Sequence, residues 1–140
     1  MKVSEKMTKD PVTVKASATA KEVAEKMRKE NIGTVLVEEN GRLKGIVTDR
    51  QIATKVVAAG KDPSKTRVSE FMTESPVTAS PDMEMEDVTK IMGEMGYRRI
   101  PVVEDEKTVG IISAADIVEH ARTCKTCMGN IFNEIAKAER

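Results

Sequence analysis

The residue types best suited to chemistry in this chain gather toward its C-terminal end. His120, Cys124 and Cys127 are spaced i, i+4, i+7, which puts all three on one face of a continuous helix. Imidazole and thiolate are zinc ligands, but a closed structural site wants four and this run has three; a symmetric partner chain could supply the rest. Cys-x-x-Cys can equally be a redox pair when one thiol is activated at a helix N-terminus, and two small, fairly apolar side chains can simply pack. Upstream, Ser113 and Asp116 stand three residues apart where a strand gives way to a helix, and both are ordinary N-terminal caps. No catalytic set accompanies them. There is one histidine, no Gly-x-Ser-x-Gly, no phosphate-loop lysine motif and no pair of carboxylates in an apolar setting, so a non-enzyme is expected.

Composition narrows the field further. The 140 residues carry 23 Lys+Arg and 23 Asp+Glu, a formal net charge of zero, which argues against a general nucleic-acid or membrane-surface role. No apolar run approaches the ~18 residues that span a bilayer, and Met1–Lys6 lacks the apolar core of a secretory signal. Two cysteines cannot build a disulfide scaffold, so a reducing, cytoplasmic setting is expected. Aromatics are 2% and tryptophan is absent, which leaves no stacking surface for single strands.

The elements that must position these residues come in duplicate. Shifted by 65 positions, the chain aligns on itself without a gap: Val3-Ser4-Glu5 on Val68-Ser69-Glu70, Pro11-Val12-Thr13 on Pro76-Val77-Thr78, Gly45-Ile46 on Gly110-Ile111. Fifteen of the fifty positions 3–52 are identical, against about three expected by chance from ordinary composition. In each copy the pattern predicts β-α-β-β-α. In the first, a strand lies at 12–14 and a helix starts at the capping box Thr19-Ala20-Lys21-Glu22. Asn31-Ile32-Gly33 ends that helix, with Gly33 as the left-handed cap. Strands at 34–37 and 44–48 flank the Asn40-Gly41 hairpin signal, and a second helix runs from Asp49 to about Ala59. In the second copy, strands are predicted at 77–79, 99–103 and 108–112, and helices at 83–95 and 114–122. Met27, Met92 and Met95 sit at core spacing. The expected organisation is repeat one over 1–60, a linker at 61–67, repeat two over 68–122, and a tail at 123–140 with an amphipathic helix. The expected fold is α/β (α+β), two repeats packed about a pseudo-two-fold axis.

The strand after Pro-Val-Thr, the strand Arg99-Ile100-Pro101-Val102-Val103 and the run Gly110-Ile111-Ile112-Ser113-Ala114-Ala115-Asp116-Ile117 resemble a CBS domain. Two in tandem, over roughly residues 3–120, resemble a CBS pair or Bateman module. The resemblance implies no required cofactor but a regulatory ligand, an adenosyl compound (AMP, ADP, ATP, S-adenosylmethionine or NAD) held in clefts shared by the two copies. It also implies a homodimer that acts on an effector protein.

On that resemblance, Asp116 is the ribose acceptor, favoured at a helix start. Ser113 is a phosphate donor, with Arg99 and Arg98 as further phosphate contacts. The other wall would come from Asp10, Lys15, Ile32 and Gly33, with Gly33 allowing close approach to the base. The second cleft departs from the pattern: Gln51 stands where Asp116 stands, and Gly33 and Thr34 replace the two arginines, leaving Thr48, Arg50 and Ser75. One good site and one weak or empty one are expected. The alternatives are a scaffolding dimer with degenerate clefts, and a metal or redox protein acting through His120, Cys124 and Cys127.

Overall fold

The computed structural model describes residues 1–123. The amphipathic helix expected in the tail, and Cys124 and Cys127, lie outside them. In chain order the elements are β1 (Thr8–Lys9), β2 (Thr13–Val14), α1 (Ala20–Glu30), β3 (Thr34–Glu39), β4 (Arg42–Thr48), α2 (Asp49–Gln51), β5 (Thr73–Glu74), α3 (Met85–Met95), β6 (Arg99–Glu104), β7 (Lys107–Ser113) and α4 (Ala114–Thr123). The fold is mixed α+β and contains two repeats. No helix among the described residues is long and apolar enough to cross a membrane.

The chain packs as two units. One is continuous, Pro11–Pro76; the other joins Met1–Asp10 to the residues from Val77 on. The unit of packing is therefore displaced from the unit of sequence repetition, because the opening segment of each repeat packs with the other one.

In the continuous unit β2 runs parallel to β3, β3 pairs antiparallel with β4, and β5 adds to β4. Four successive residues of β3, Thr34 to Val37, are buried, as in a strand covered on both faces. Ala20, Val23 and Met27 of α1 pack with Val35, Val37 and Val47 of the sheet and with Val68 and Phe71. Helix α1 starts on the anticipated capping box: Thr19 Oγ1 accepts from the Glu22 amide at 3.2 Å, and Glu22 Oε2 accepts from the Thr19 amide at 2.9 Å. The hairpin turn is Asn40-Gly41 with both φ angles positive, 54° and 77°, as the dipeptide requires.

Two expectations fail here. The left-handed cap of α1 is Asn31 (φ 53°), not Gly33. Asparagine tolerates that conformation, and Gly33 is needed small for another reason: a Cβ there would stand 2.9 Å from Asp49 Oδ2. Helix α2 is regular only for its first turn and then widens into a π-helix over Ile52–Val57, a geometry that hydrophobic spacing does not announce.

In the discontinuous unit β7 lies between β6 and β1. The core unites Val3 with Met85, Val88 and Met92 of α3, Ile100 and Val102 of β6, Ile112 of β7, and Ile117 and Ala121 of α4. The N-terminal segment is stitched in by its backbone: the Val3 amide donates to Met83 O at 2.8 Å, Ser4 to Pro81 O at 2.9 Å, and Met85 to Met1 O at 3.0 Å. These bonds explain why α3 begins at Met85 rather than Met83, since the carbonyls of Pro81 and Met83 are engaged outside any helix. The strand expected at 77–79 reduces to one bridge, Ala79 beside Val102. Met92 is buried, but Met95, expected in the core, is exposed at the end of α3.

Candidate functional site

Three of the residues singled out in the sequence meet at one end of the β6–β7 hairpin. Arg99 pairs directly with Ser113, so their side chains rise from the same face of the ladder. Ser113 closes β7 and caps α4, whose first turn carries Asp116. Asp116 Oδ2 accepts from both the Ser113 amide (2.7 Å) and the Ser113 hydroxyl (2.8 Å), and the Asp116 amide donates back to Ser113 Oγ at 3.3 Å. This is a complete capping box.

The box decides what each group has left to offer. Both bonds fall on Oδ2, so Oδ1 of the half-buried carboxylate has no partner among the described residues. The hydroxyl proton of Ser113 points at Asp116 instead of outward, which differs from the donor role expected of it. The Ala114 amide donates to Arg98 O at 2.8 Å, leaving the exposed Ala115 amide as an open donor of that turn. Arg99 is exposed and reaches the same end of the hairpin.

The equivalent end of the β3–β4 hairpin has the same skeleton and different chemistry. Thr34 pairs with Thr48, Thr48 Oγ1 accepts from the Gln51 amide at 3.2 Å, and Gln51 Oε1 accepts from the Thr48 amide at 2.9 Å. The other half of the Gln51 amide donates to Thr73 Oγ1 at 2.8 Å. Thr34, where Arg99 stands in the other repeat, is buried with its hydroxyl unbonded. Arg50 is exposed, with its amide donating to Asp49 Oδ1.

The remaining candidates disperse within their own units. Lys15 follows Val14, which pairs with Val37; Gly33 precedes the far end of the same strand, about five residues or ~16 Å away. Ile32 is half-buried against the α1 core, and Gly33 faces the Asp49 carboxylate. Asp10 follows Lys9, which pairs with Gly110, roughly four strand positions or ~13 Å from Ser113. Ser75, its counterpart, donates its amide to Lys44 O at 3.3 Å. Both take a positive φ, 51° and 45°, at the turns that end β1 and β5, a shared irregularity that sequence reasoning missed. His120 is buried, with Nε2 3.4 Å from Glu86 Oε1.

Known proteins share this architecture. The chain is 38% identical over 115 residues to the CBS domain-containing protein YhcV of Bacillus subtilis (strain 168), covering 82% of this chain and 81% of that one. The crystallised CBS domain pair of protein MJ0100, in complex with 5′-methylthioadenosine and S-adenosyl-L-methionine, superposes with a TM-score of 0.79 at 30% identity, over 88% of this chain and 97% of that one. Hypoxic Response Protein I, whose structure has two coordinated zinc ions, gives a TM-score of 0.79 at 29% identity, over 86% and 98% of the two chains. The family description "CBS domain" matches residues 3–58 and again 68–122. The chain belongs to the CBS domain family and carries two such domains in tandem.

Proposed function

We propose that this CBS pair is a regulatory module that binds an adenosyl ligand at the Arg99–Ser113–Asp116 end of the β6–β7 hairpin and signals occupancy to a partner protein as a homodimer. The observation that carries the reading is the uncommitted Oδ1 of Asp116 beside an open helix amide and an exposed arginine. A carboxylate oxygen with free lone pairs can accept from vicinal ribose hydroxyls. The Ala115 amide and Arg99 supply donors to the next group along, whether phosphate or the carboxylate of an S-adenosyl amino acid. The adenosyl ligands of the MJ0100 pair support the ligand class. Signalling works by population shift: the ligand biases one arrangement of the module only to the extent that it binds that arrangement better.

Calorimetric titration with AMP, ADP, ATP, 5′-methylthioadenosine and S-adenosylmethionine tests the reading. One saturable site per chain is expected, lost in Asp116→Ala; no heat from any of them at millimolar concentration would leave the scaffolding reading standing.

A second reading, metal binding through His120 with Cys124 and Cys127, has the zinc of Hypoxic Response Protein I in its favour. Of those three residues the structure describes His120, set beside Glu86; no group of three or more possible ligands forms among the described residues. Metal analysis of protein purified without added zinc separates the two readings.

A further inference from the structure

A cleft of about 670 Å³ opens in the continuous unit at the turn end of the β3–β4 hairpin, remote along β3 from the Thr48 cap. Lys15, Lys26 and Arg67 line it, with Ser17 between them. Two of the cations are held in place by backbone: Lys26 Nζ donates to Thr13 O at 2.8 Å, and Arg67 Nη1 donates to Ser17 O at 2.7 Å. The loop bearing Lys15 and Ser17 is tied to the hairpin by the Ala16 amide, which donates to Glu39 Oε1 at 3.0 Å. None of the three cations forms an ion pair with a protein carboxylate among the described residues, although Glu22 and Glu38 share the lining. Glu22 Oε2 is engaged in the cap of α1, where it accepts from the Thr19 amide.

The other repeat provides an internal control. At the positions 65 residues away, Lys15 becomes Ser80, Lys26 becomes Ile91, Ser17 becomes Asp82 and Asn40 becomes Asp105, while Arg67 corresponds to Lys2. The same fold forms there without the basic lining, so folding does not demand it. Lys2 is itself neutralised, with Nζ 2.7 Å from Glu84 Oε1. Three cations, two of them held by backbone carbonyls, outnumber the two carboxylates of the lining and are suited to an anion that carries more than one negative charge, and the guanidinium keeps further N–H donors for phosphate oxygens.

We propose that this cleft is a second ligand site, independent of Asp116, that takes a small diphosphate-type anion. Titration of the intact chain with inorganic pyrophosphate, followed by amide chemical-shift mapping, tests it. Saturable binding is expected, with the largest shifts at Lys15, Ser17 and Gly41. Lys15→Glu combined with Lys26→Glu should weaken it about tenfold or more, and Asp116→Ala should leave it unchanged. Absence of saturation, or shifts centred on Ser113 and Asp116 that disappear in Asp116→Ala, would overturn the proposal. The mapping on the unmodified chain decides the matter even if the double variant folds poorly. Loss of adenosyl binding in Asp116→Ala with pyrophosphate binding retained would separate this site from the adenosyl reading.

Discussion

Asp116 and Gln51 occupy the same place in two copies of one unit and perform the same structural task. Each closes a capping box on the hydroxyl residue three positions earlier, with distances that agree to within 0.2 Å. They differ in what remains. The carboxylate accepts on one oxygen and keeps the other, whereas the carboxamide has its second arm donated to Thr73. Thr8 stands at the position equivalent to Thr73, and no hydrogen bond joins it to Asp116 among the described residues. Capping and ligand binding are thus not competing explanations of Asp116. One oxygen serves the helix and the other is left over, so the cap is present in both halves and an unbonded carboxylate oxygen in only one.

The comparison can be broken at several points. The largest effect is expected from the unit boundary. Deleting residues 1–10 removes Val3 from the core and three backbone bonds from the start of α3; hydrogen exchange should then show the residues from 77 on unprotected while Pro11–Pro76 keeps its protection. Val3→Ala alone should cost about 2 kcal/mol in chemical denaturation. Equal loss of protection in both units would mean that they do not fold separately.

Next come the two glycines against which β1 and β5 lie. A Cβ on Gly110 would stand 2.9 Å from Thr8 O, and one on Gly45 2.8 Å from Thr73 O. Since backbone carbonyls within a ladder cannot step aside, Gly110→Ala and Gly45→Ala should each destabilise by about 1–3 kcal/mol. Gly33→Ala should cost less, because the atom it meets is the end of the exposed Asp49 side chain. Thermal melts of the three variants rank them.

Asp116→Asn sharpens the contrast between the halves. It preserves a cap-competent side chain and removes the charge, so stability should change little, while adenosyl affinity should fall by about tenfold or more, the worth of one charge-assisted bond. Gln51→Ala should leave affinity unchanged while lowering stability by about 1 kcal/mol. Affinity that falls equally in both would mean that the Thr48 end binds too.

The smallest effect concerns pH. Hydrogen bonds from Lys2 and the chain's own amino group hold the Glu84 carboxyl below its usual value of 4.5. A lowered folded-state pKa means that the contribution is present above the ordinary value and lost as the pH falls through the depressed one. Acid titration of stability should therefore differ slightly between the native chain and Glu84→Gln below about pH 4.5, with no difference in ligand affinity.

Much of the local structure was legible because its causes are local. The Thr19-x-x-Glu22 box, the Asn40-Gly41 turn and the hydrophobic face of α1 each follow from residues a few positions apart. Reading Gly33 as the left-handed cap failed because Asn31, two residues earlier, takes that conformation itself. The start of α3 failed because its backbone partners lie some eighty residues earlier, at Met1 to Ser4, while the strand expected at 77–79 is held only through Ala79, which bonds Pro101 and Val103. At the site, the sequence brought Arg99, Ser113 and Asp116 to notice and the β6–β7 register brought them together. The resemblance groups Lys15 with Gly33 on one cleft wall, and the pairing of β2 with β3 puts them at opposite ends of a strand.

By itself the sequence determined that the chain is a duplication, since fifteen identities at one offset need no coordinates, and it located the capping box that starts α1. Only the tertiary structure decided which oxygen of Asp116 stays open, that both ends of the Gln51 amide are engaged within the protein, and that the first ten residues pack with the second repeat. Hydrogen-bond valence is settled by every neighbour a group meets, and Thr73, which takes the second arm of Gln51, lies 22 residues away along the chain.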